Sequence, residues 1–195
     1  MVIRSVLYFG VSSLVALYVI DRFSLPTSAG SAALATFLAV GAVGTLAGGW
    51  LADRWGRVPA IRLGYAVAVP GLALLVAAPS WPGALAAAVL LGVGLYLPFS
   101  VQTTLGQELL PNRIGTASGV TLGLAVSAGG AVTPLFGVLA DAHGLGWSVA
   151  ALLPLPLLAL LVSLRLPGPT ASGRGASSRA QGRRGSPPER AAPHR

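Results

Sequence analysis

GGWLADRWGRVPA, residues 48–60, sets two tryptophans, an aspartate and two arginines between two of the most apolar runs of the chain. Outward from it, residues 23–52 and 63–107 contain no Asp, Glu, Lys or Arg, and neither do 5–20, 114–140 and 142–164. A helix crossing a hydrocarbon core about 30 Å thick needs roughly 20 mostly apolar residues. Every interval but the first exceeds that length, and 63–107 can cross twice, with PSWPG at 79–83 as the turn between the crossings. Pro and Gly punctuate helices, and Trp favours the bilayer interface.

The charged stretch is therefore a turn between membrane spans, and the pattern predicts six: roughly 3–20, 29–52, 59–78, 84–106, 115–140 and 147–165. Composition agrees. Of 195 residues, 54% are hydrophobic and 9% charged, against about 25% charged in a soluble domain. The first span, bounded by Arg4 and Asp21, is short enough to suggest a secretory signal. Its apolar run is long for one, no small-x-small cleavage site closes it, and further spans follow, so it reads as a retained helix.

Composition also excludes chemistry. Without Cys there are no disulfides, thiolate metal sites or Cys nucleophiles. His143 and His194 are too far apart in sequence to suggest a metal site, and no cofactor is implied. The chain has no G-x-S-x-G, no H-E-x-x-H and no Lys for a phosphate-cradling loop, so it does not read as an enzyme.

With six spans, Arg4, Arg54, Arg57, Arg62, Arg113 and every arginine from Arg165 onward fall on one side, and Arg22 alone on the other. Arginine excess marks the cytoplasmic face, which puts both termini there. From Pro167 large apolar residues nearly vanish, which predicts two regions: a transmembrane unit over 1–166 and a disordered, Arg-rich cytoplasmic tail over 167–195. The tail lacks aromatics that could stack on bases, so it reads as a solvated topology signal and not as a nucleic-acid binder.

GWLADRWG at 49–56 recurs as GVLADAHG at 137–144, both G-x-L-A-D-x-x-G. The first closes span two, the second span five, on opposite sides. Two three-helix units of opposite orientation would give this, the inverted repeat of many secondary transporters. Both spans also carry small residues every fourth position: Gly44, Gly48 and Ala52 in one, Gly115, Gly119, Gly123, Ser127 and Ala131 in the other. Residues four apart share a helix face, so each stripe admits a close neighbour, within the unit or outside it.

In the opening stretch Gly48 and Gly49 permit close packing and Gly56 a turn with positive φ. Asp53 can accept from Arg54, Arg57 or the amides of a nearby helix start, while Pro59 suits the first turn of the next helix. Such a charged clasp could hold helix ends together in one state and release them in another.

Residues 49–57, GWLADRWGR, closely resemble the signature loop of the major facilitator superfamily, G-x-L-A-D-R-x-G-R, departing from it at Val58 and Pro59 where the family often has a second cation. LPFSVQTTLGQELLPNRIGTASGVTLGLAVSAGG at 97–130 resembles the second half of fosmidomycin-resistance-type efflux transporters. The resemblance covers nearly all of 1–165. It implies an all-α membrane fold, twelve helices in two six-helix halves with substrate bound between them. This chain supplies one half, expected to be the C-terminal one, so a second half is an expected partner, as a separate chain, a split or truncated product's complement, or a second copy.

The resemblance further implies that helices one and four of a half line the cavity. The residues agree: Tyr96, Ser100, Thr103 and Gln107 form one polar stripe on span four, broken into by Pro98, and Tyr8 and Ser12 share a face of span one. Glu108 and Arg113 are expected to pair or to join the Asp53 and Arg57 cluster. No acid lies deep in a span, so a proton-coupling carboxylate would belong to the other half. The expected function is efflux of a small molecule, of the antibiotic-resistance type, across a bacterial plasma membrane; the alternative is a non-transporting relic or a membrane interaction subunit.

Overall fold

The computed structural model of the chain describes residues 1–108 and 114–165. It is built from helices: α1 (Val2–Phe23), α2 (Thr27–Trp55), α3 (Arg57–Ala77), α4 (Trp81–Glu108), α5 (Ile114–His143), α6 (Leu145–Ala150) and α7 (Pro154–Leu164). Among the described residues six stretches are long and apolar enough to cross a bilayer, with α6 and α7 together making the sixth over Leu145–Leu164. The six expected crossings are present. The tail from 166 onward and the 109–113 connection lie outside the described residues.

The last crossing differs from the single helix expected over 147–165, and prolines explain the break. Pro154 and Pro156 have no N–H, so the carbonyls of Ala150 and Leu152 lose their ordinary partners four residues on. Each accepts instead from three residues on: Leu153 N–H to Ala150 at 3.0 Å and Leu155 N–H to Leu152 at 3.0 Å. Pro70, Pro98 and Pro134 interrupt α3, α4 and α5 without ending them, as membrane helices tolerate.

The centre of the bundle is α4, against which both α2 and α3 lie; α1 packs on α2 and α5, and α7 on α3. Glycines set the closest approaches. A Cβ on Gly48 of α2 would run into the Leu97 carbonyl of α4, and one on Gly94 of α4 would lie 2.7 Å from the Ala68 nitrogen of α3. Without side chains at these points the backbones meet directly, the main source of dispersion energy between membrane helices. Phe37, Leu72, Leu91, Leu95 and Leu152 are fully buried in the core this creates.

The two turns containing the repeated octapeptide match. Gly56 joins α2 to α3 with φ 94° and ψ 162°, and Gly144 joins α5 to α6 with φ 90° and ψ 160°. The Gly56 N–H donates to Ala52 and the Gly144 N–H to Ala140. Each glycine is at once the cap of one helix and the start of the next, which fits two three-helix units with equivalent second helices.

Candidate functional site

Tyr8 of α1 and Tyr96 of α4 meet edge-on, ring centroids 5.5 Å apart, and both contact Phe37 of α2, at 6.1 and 5.9 Å. Phe9 adds a fourth ring, 5.2 Å from Tyr8. Phe37 is fully buried, whereas both tyrosines are only half-buried, a body of apolar ring with a polar tip. A Cβ on Gly41 of α2 would collide with the Tyr96 ring, so the glycine makes room for it. The two expected cavity residues that came from different helices are thus neighbours.

The sequence reading missed the residue one turn before Tyr8. Arg4 counted there only as one of the arginines flanking the spans. Its side chain is instead folded into the bundle, 6% exposed, with the guanidinium carbon 4.5 Å from the centroid of Phe99 on α4. Nη2 donates a long hydrogen bond, 3.4 Å, to Ser5 Oγ. Nε has no partner. Tyr8, Tyr65 and Tyr96 lie within electrostatic reach of it. The available signal was the spacing: Arg4, Tyr8 and Ser12 are four apart and share one face of α1.

Of the other stripe residues, Ser12 donates to the Phe9 carbonyl at 3.2 Å and Thr103 to the Phe99 carbonyl at 2.9 Å, each within its own helix. Ser100 Oγ is buried without a partner, and so is Gln102 Oε1, whose amide nitrogen donates to the Tyr65 hydroxyl at 2.9 Å. Gln102 and Tyr65 were not singled out by the sequence. Their bond ties α4 to α3. The side chains of Gln107 and Glu108, and all of Arg113, lie outside the described residues.

At the α2–α3 corner Gly49, Asp53 and Arg57 share a cavity of about 80 Å³ with Ser100 and Thr104 of α4. Arg54 turns away from it, its guanidinium 5.6 Å from the Trp50 ring. The expected clasp residues therefore divide: Asp53 and Arg57 face α4, and Arg54 packs along its own helix. Asp21, Asp53 and Asp141 are all exposed. No cluster of His and acidic residues suited to a metal occurs among the described residues.

The two small-residue stripes have different fates. Gly44 and Gly48 lie against α4, a Gly44 Cβ being 3.3 Å from the Val93 Cα. Gly115, Gly119 and Gly123 would find no atom within 4 Å. Only 11% of the most apolar window of α5 is buried, against 56% for α4, and Val120, Leu124, Leu135 and Val138 are exposed beside the stripe.

Six apolar crossings in two matched three-helix units, with polar and aromatic side chains converging between the first and fourth helices, define an integral membrane protein built on secondary-transporter lines. The chain belongs to the Major Facilitator Superfamily, whose family model matches residues 1–134. It is similar to the MFS-type transporter YfnC of Bacillus subtilis (strain 168), 38% identical over 149 residues, which are 75% of this chain and 36% of that protein. It is also similar to the fosmidomycin resistance protein of Escherichia coli (strain K12), 34% identical over 149 residues, 74% of this chain and 36% of the relative. The matched segment thus spans little more than a third of each curated relative's length.

Proposed function

We propose that this chain is one six-helix half of a facilitator-type transporter that exports a small molecule, acting with a second half and not as an enzyme. The observation that carries the reading is the contrast between the stripes: α5 has the small-residue face of a packed helix and, among the described residues, nothing packed on it. A second half seated there would cover that face and close a cavity over Tyr8 and Tyr96. The limited share of each relative that the chain matches supports a missing complement, and the name of the Escherichia coli relative supports export of an antimicrobial compound.

In this reading Tyr8, Ser12, Tyr96, Ser100, Thr103 and Gln107 line the path, and Gly49, Asp53, Arg54, Gly56, Arg57, Glu108 and Arg113 form the corner that opens and closes. In the same reading both ends of 1–166 lie on the cytoplasmic side of a bacterial plasma membrane, with 167–195 as a solvated tail; the arginine excess on that side supports it. The cavity corner supports the gate: Asp53 and Arg57 on one side and the unpartnered Ser100 hydroxyl on the other are polar groups with room to change partners.

The test is a drug-resistance and accumulation assay in efflux-deficient cells, with this chain alone and with the N-terminal half of a relative. Protection by the pair and not by the chain alone is expected. Protection by the chain alone would make it a homodimer. No protection in either case would favour a relic or an interaction subunit.

A further inference from the structure

At the end of the bundle opposite the Asp53 corner, α1, α3 and α6 border a cavity of about 390 Å³. Asp21 and Arg22 lie in the last turn of α1, Val76 in the last turn of α3, and Trp147 and Ala150 in α6. Tyr18, 3% exposed, donates its hydroxyl proton to the Val76 carbonyl at 3.3 Å, which leaves the phenol oxygen an acceptor in the cavity wall. Asp21 and Arg22 are exposed, and neither side chain is bonded to another described residue. The cavity therefore offers acceptors for an ammonium group and a donor fork for a phosphate on adjacent residues. Two helices end at it, and the partial negative charge of their last turns adds to the preference for a cation beside Asp21.

A second cavity, of about 480 Å³, adjoins the first: both are lined by Trp147 and Ala150, and Leu139, His143 and Ala151 complete the second. Leu139 precedes the Gly144 corner by five positions, roughly 7 Å deeper along α5. Trp147, 68% exposed between the two cavities, stands where tryptophans favour the headgroup level of a bilayer. A cavity with both signs of charge at the membrane boundary, continued by an apolar one at greater depth, has the layout of a phospholipid. We propose that this crevice binds an aminophospholipid of the phosphatidylethanolamine type. Arg22 holds the phosphate, Asp21 and the Tyr18 oxygen accept from the ammonium group, and an acyl chain lies along Leu139 and Trp147. A choline headgroup has no N–H and a glycerol headgroup no cation, so these acceptors select the primary amine. Leu139 and His143 lie about 200° around α5 from Gly119 and Gly123, at about 100° per residue, so a second half seated on the glycines leaves the crevice open to lipid.

The purified, delipidated chain in detergent is titrated with short-chain phosphatidylethanolamine, phosphatidylcholine and phosphatidylglycerol, and with glycerophosphoethanolamine, which has the headgroup and no acyl chain. A ligand that binds the folded state raises Tm saturably. Phosphatidylethanolamine is expected to bind about fivefold or more tightly than either other lipid, and glycerophosphoethanolamine far more weakly than all three. Equal affinity for the ethanolamine and choline lipids, preference for either other lipid, or no saturable rise at all would overturn the proposal. Glycerophosphoethanolamine binding as tightly as the lipid would also overturn it, because the site would then take a soluble zwitterion.

Two exposed positions locate the headgroup without touching the core. Asp21→Asn should reduce phosphatidylethanolamine affinity to that for phosphatidylcholine and leave the latter unchanged, whereas Arg22→Gln should weaken both, since both carry the phosphate. Undiminished selectivity in D21N would remove the proposed ammonium site. The acyl groove has its own readout: phosphatidylethanolamine brominated in its chains should quench tryptophan fluorescence, and much of that quenching should be lost in Trp147→Phe. Quenching unchanged in W147F would put the lipid on another face and sink the proposal. Selective binding together with no transport by the assembled pair would support the lipid site and remove the transporter reading, so the two stand or fall separately.

Discussion

Gly56 and Gly144 are 88 positions apart and adopt the same backbone conformation, φ/ψ of 94°/162° and 90°/160°. An extended ψ at positive φ is a region essentially reserved for glycine. Each residue ends the second helix of its three-helix unit and begins the third, so the shared octapeptide encodes a shared corner.

The corner gives a first prediction. A Cβ on Gly144 would meet no atom within 4 Å, so Gly144→Ala isolates the backbone cost, about 1–3 kcal/mol. A Tm lowered by several degrees in detergent is expected, while Gly146→Ala, equally open and without a positive φ, should change little. Equal Tm values for the two variants would mean that the corner is not held in this conformation.

Gly48 and Gly123 provide a second comparison, on equivalent helices. Gly48→Ala drives a methyl into the Leu97 carbonyl, a backbone atom that cannot rotate away, and overpacking of this kind costs about 1–3 kcal/mol or more. Gly123→Ala meets nothing. Thermal unfolding of the chain alone should separate them clearly. In the assembled pair Gly123→Leu should lose resistance, because it would hold the second half away from α5; full activity there would place the partner on another face.

Arg62 ties α3 to the end of the chain's last described helix. Its Nε and Nη2 donate to the carbonyls of Ser163 and Leu164, both at 3.1 Å. These belong to the last turn of α7, where a helix runs out of intrahelical donors for its carbonyls and the Arg165 N–H turns back to Val162 at 3.1 Å. Arg62→Ala should cost about 1–2 kcal/mol at about 1 kcal/mol per bond, with faster amide hydrogen exchange concentrated in the second half of α7. Lys retains the charge but not the fork, so Arg62→Lys should recover only part. Exchange unchanged in R62A would show that the carbonyls are satisfied otherwise.

Ser148, fully buried in α6, donates to the Phe136 carbonyl of α5 at 2.6 Å. Interhelical bonds of this kind in membranes average about 0.6 kcal/mol. Ser148→Ala should therefore lower Tm by a small, measurable amount, less than Gly144→Ala does. A larger loss than in G144A would make this bond, and not the glycine, the main determinant of the α5–α6 corner.

Asp53→Asn probes the gate. Asp53 and Arg57 face the same small cavity at α4, so removing one charge should lower transport by the assembled pair while leaving folding of this exposed position intact. Wild-type accumulation in D53N would remove the aspartate from the mechanism.

The site was legible in part. Tyr8 and Tyr96 were found because a polar residue on an apolar helix is conspicuous, and the structure brings them together. Ser12 and Thr103 have the same signature, yet they bond their own helices, and spacing alone does not distinguish a lining hydroxyl from one that bonds the turn before it. Arg4 was passed over because an arginine at the edge of a span has an ordinary explanation, and only a folded neighbour can say that it points inward over Phe99.

What the sequence by itself determined is the number, position and pairing of the crossings. Hydrocarbon imposes one local requirement on every spanning helix, about 20 apolar residues with their backbone bonds made internally, and a local requirement can be read locally. The tertiary structure alone decided which faces are covered. Gly44 and Gly48 have the same four-residue spacing as Gly119 and Gly123; the first pair lies on the backbone of α4 and the second meets nothing. Inside a bilayer lipid is as apolar as leucine, so composition does not separate a face toward lipid from one toward a helix. Close approach of a second backbone does, and that is a property of the fold.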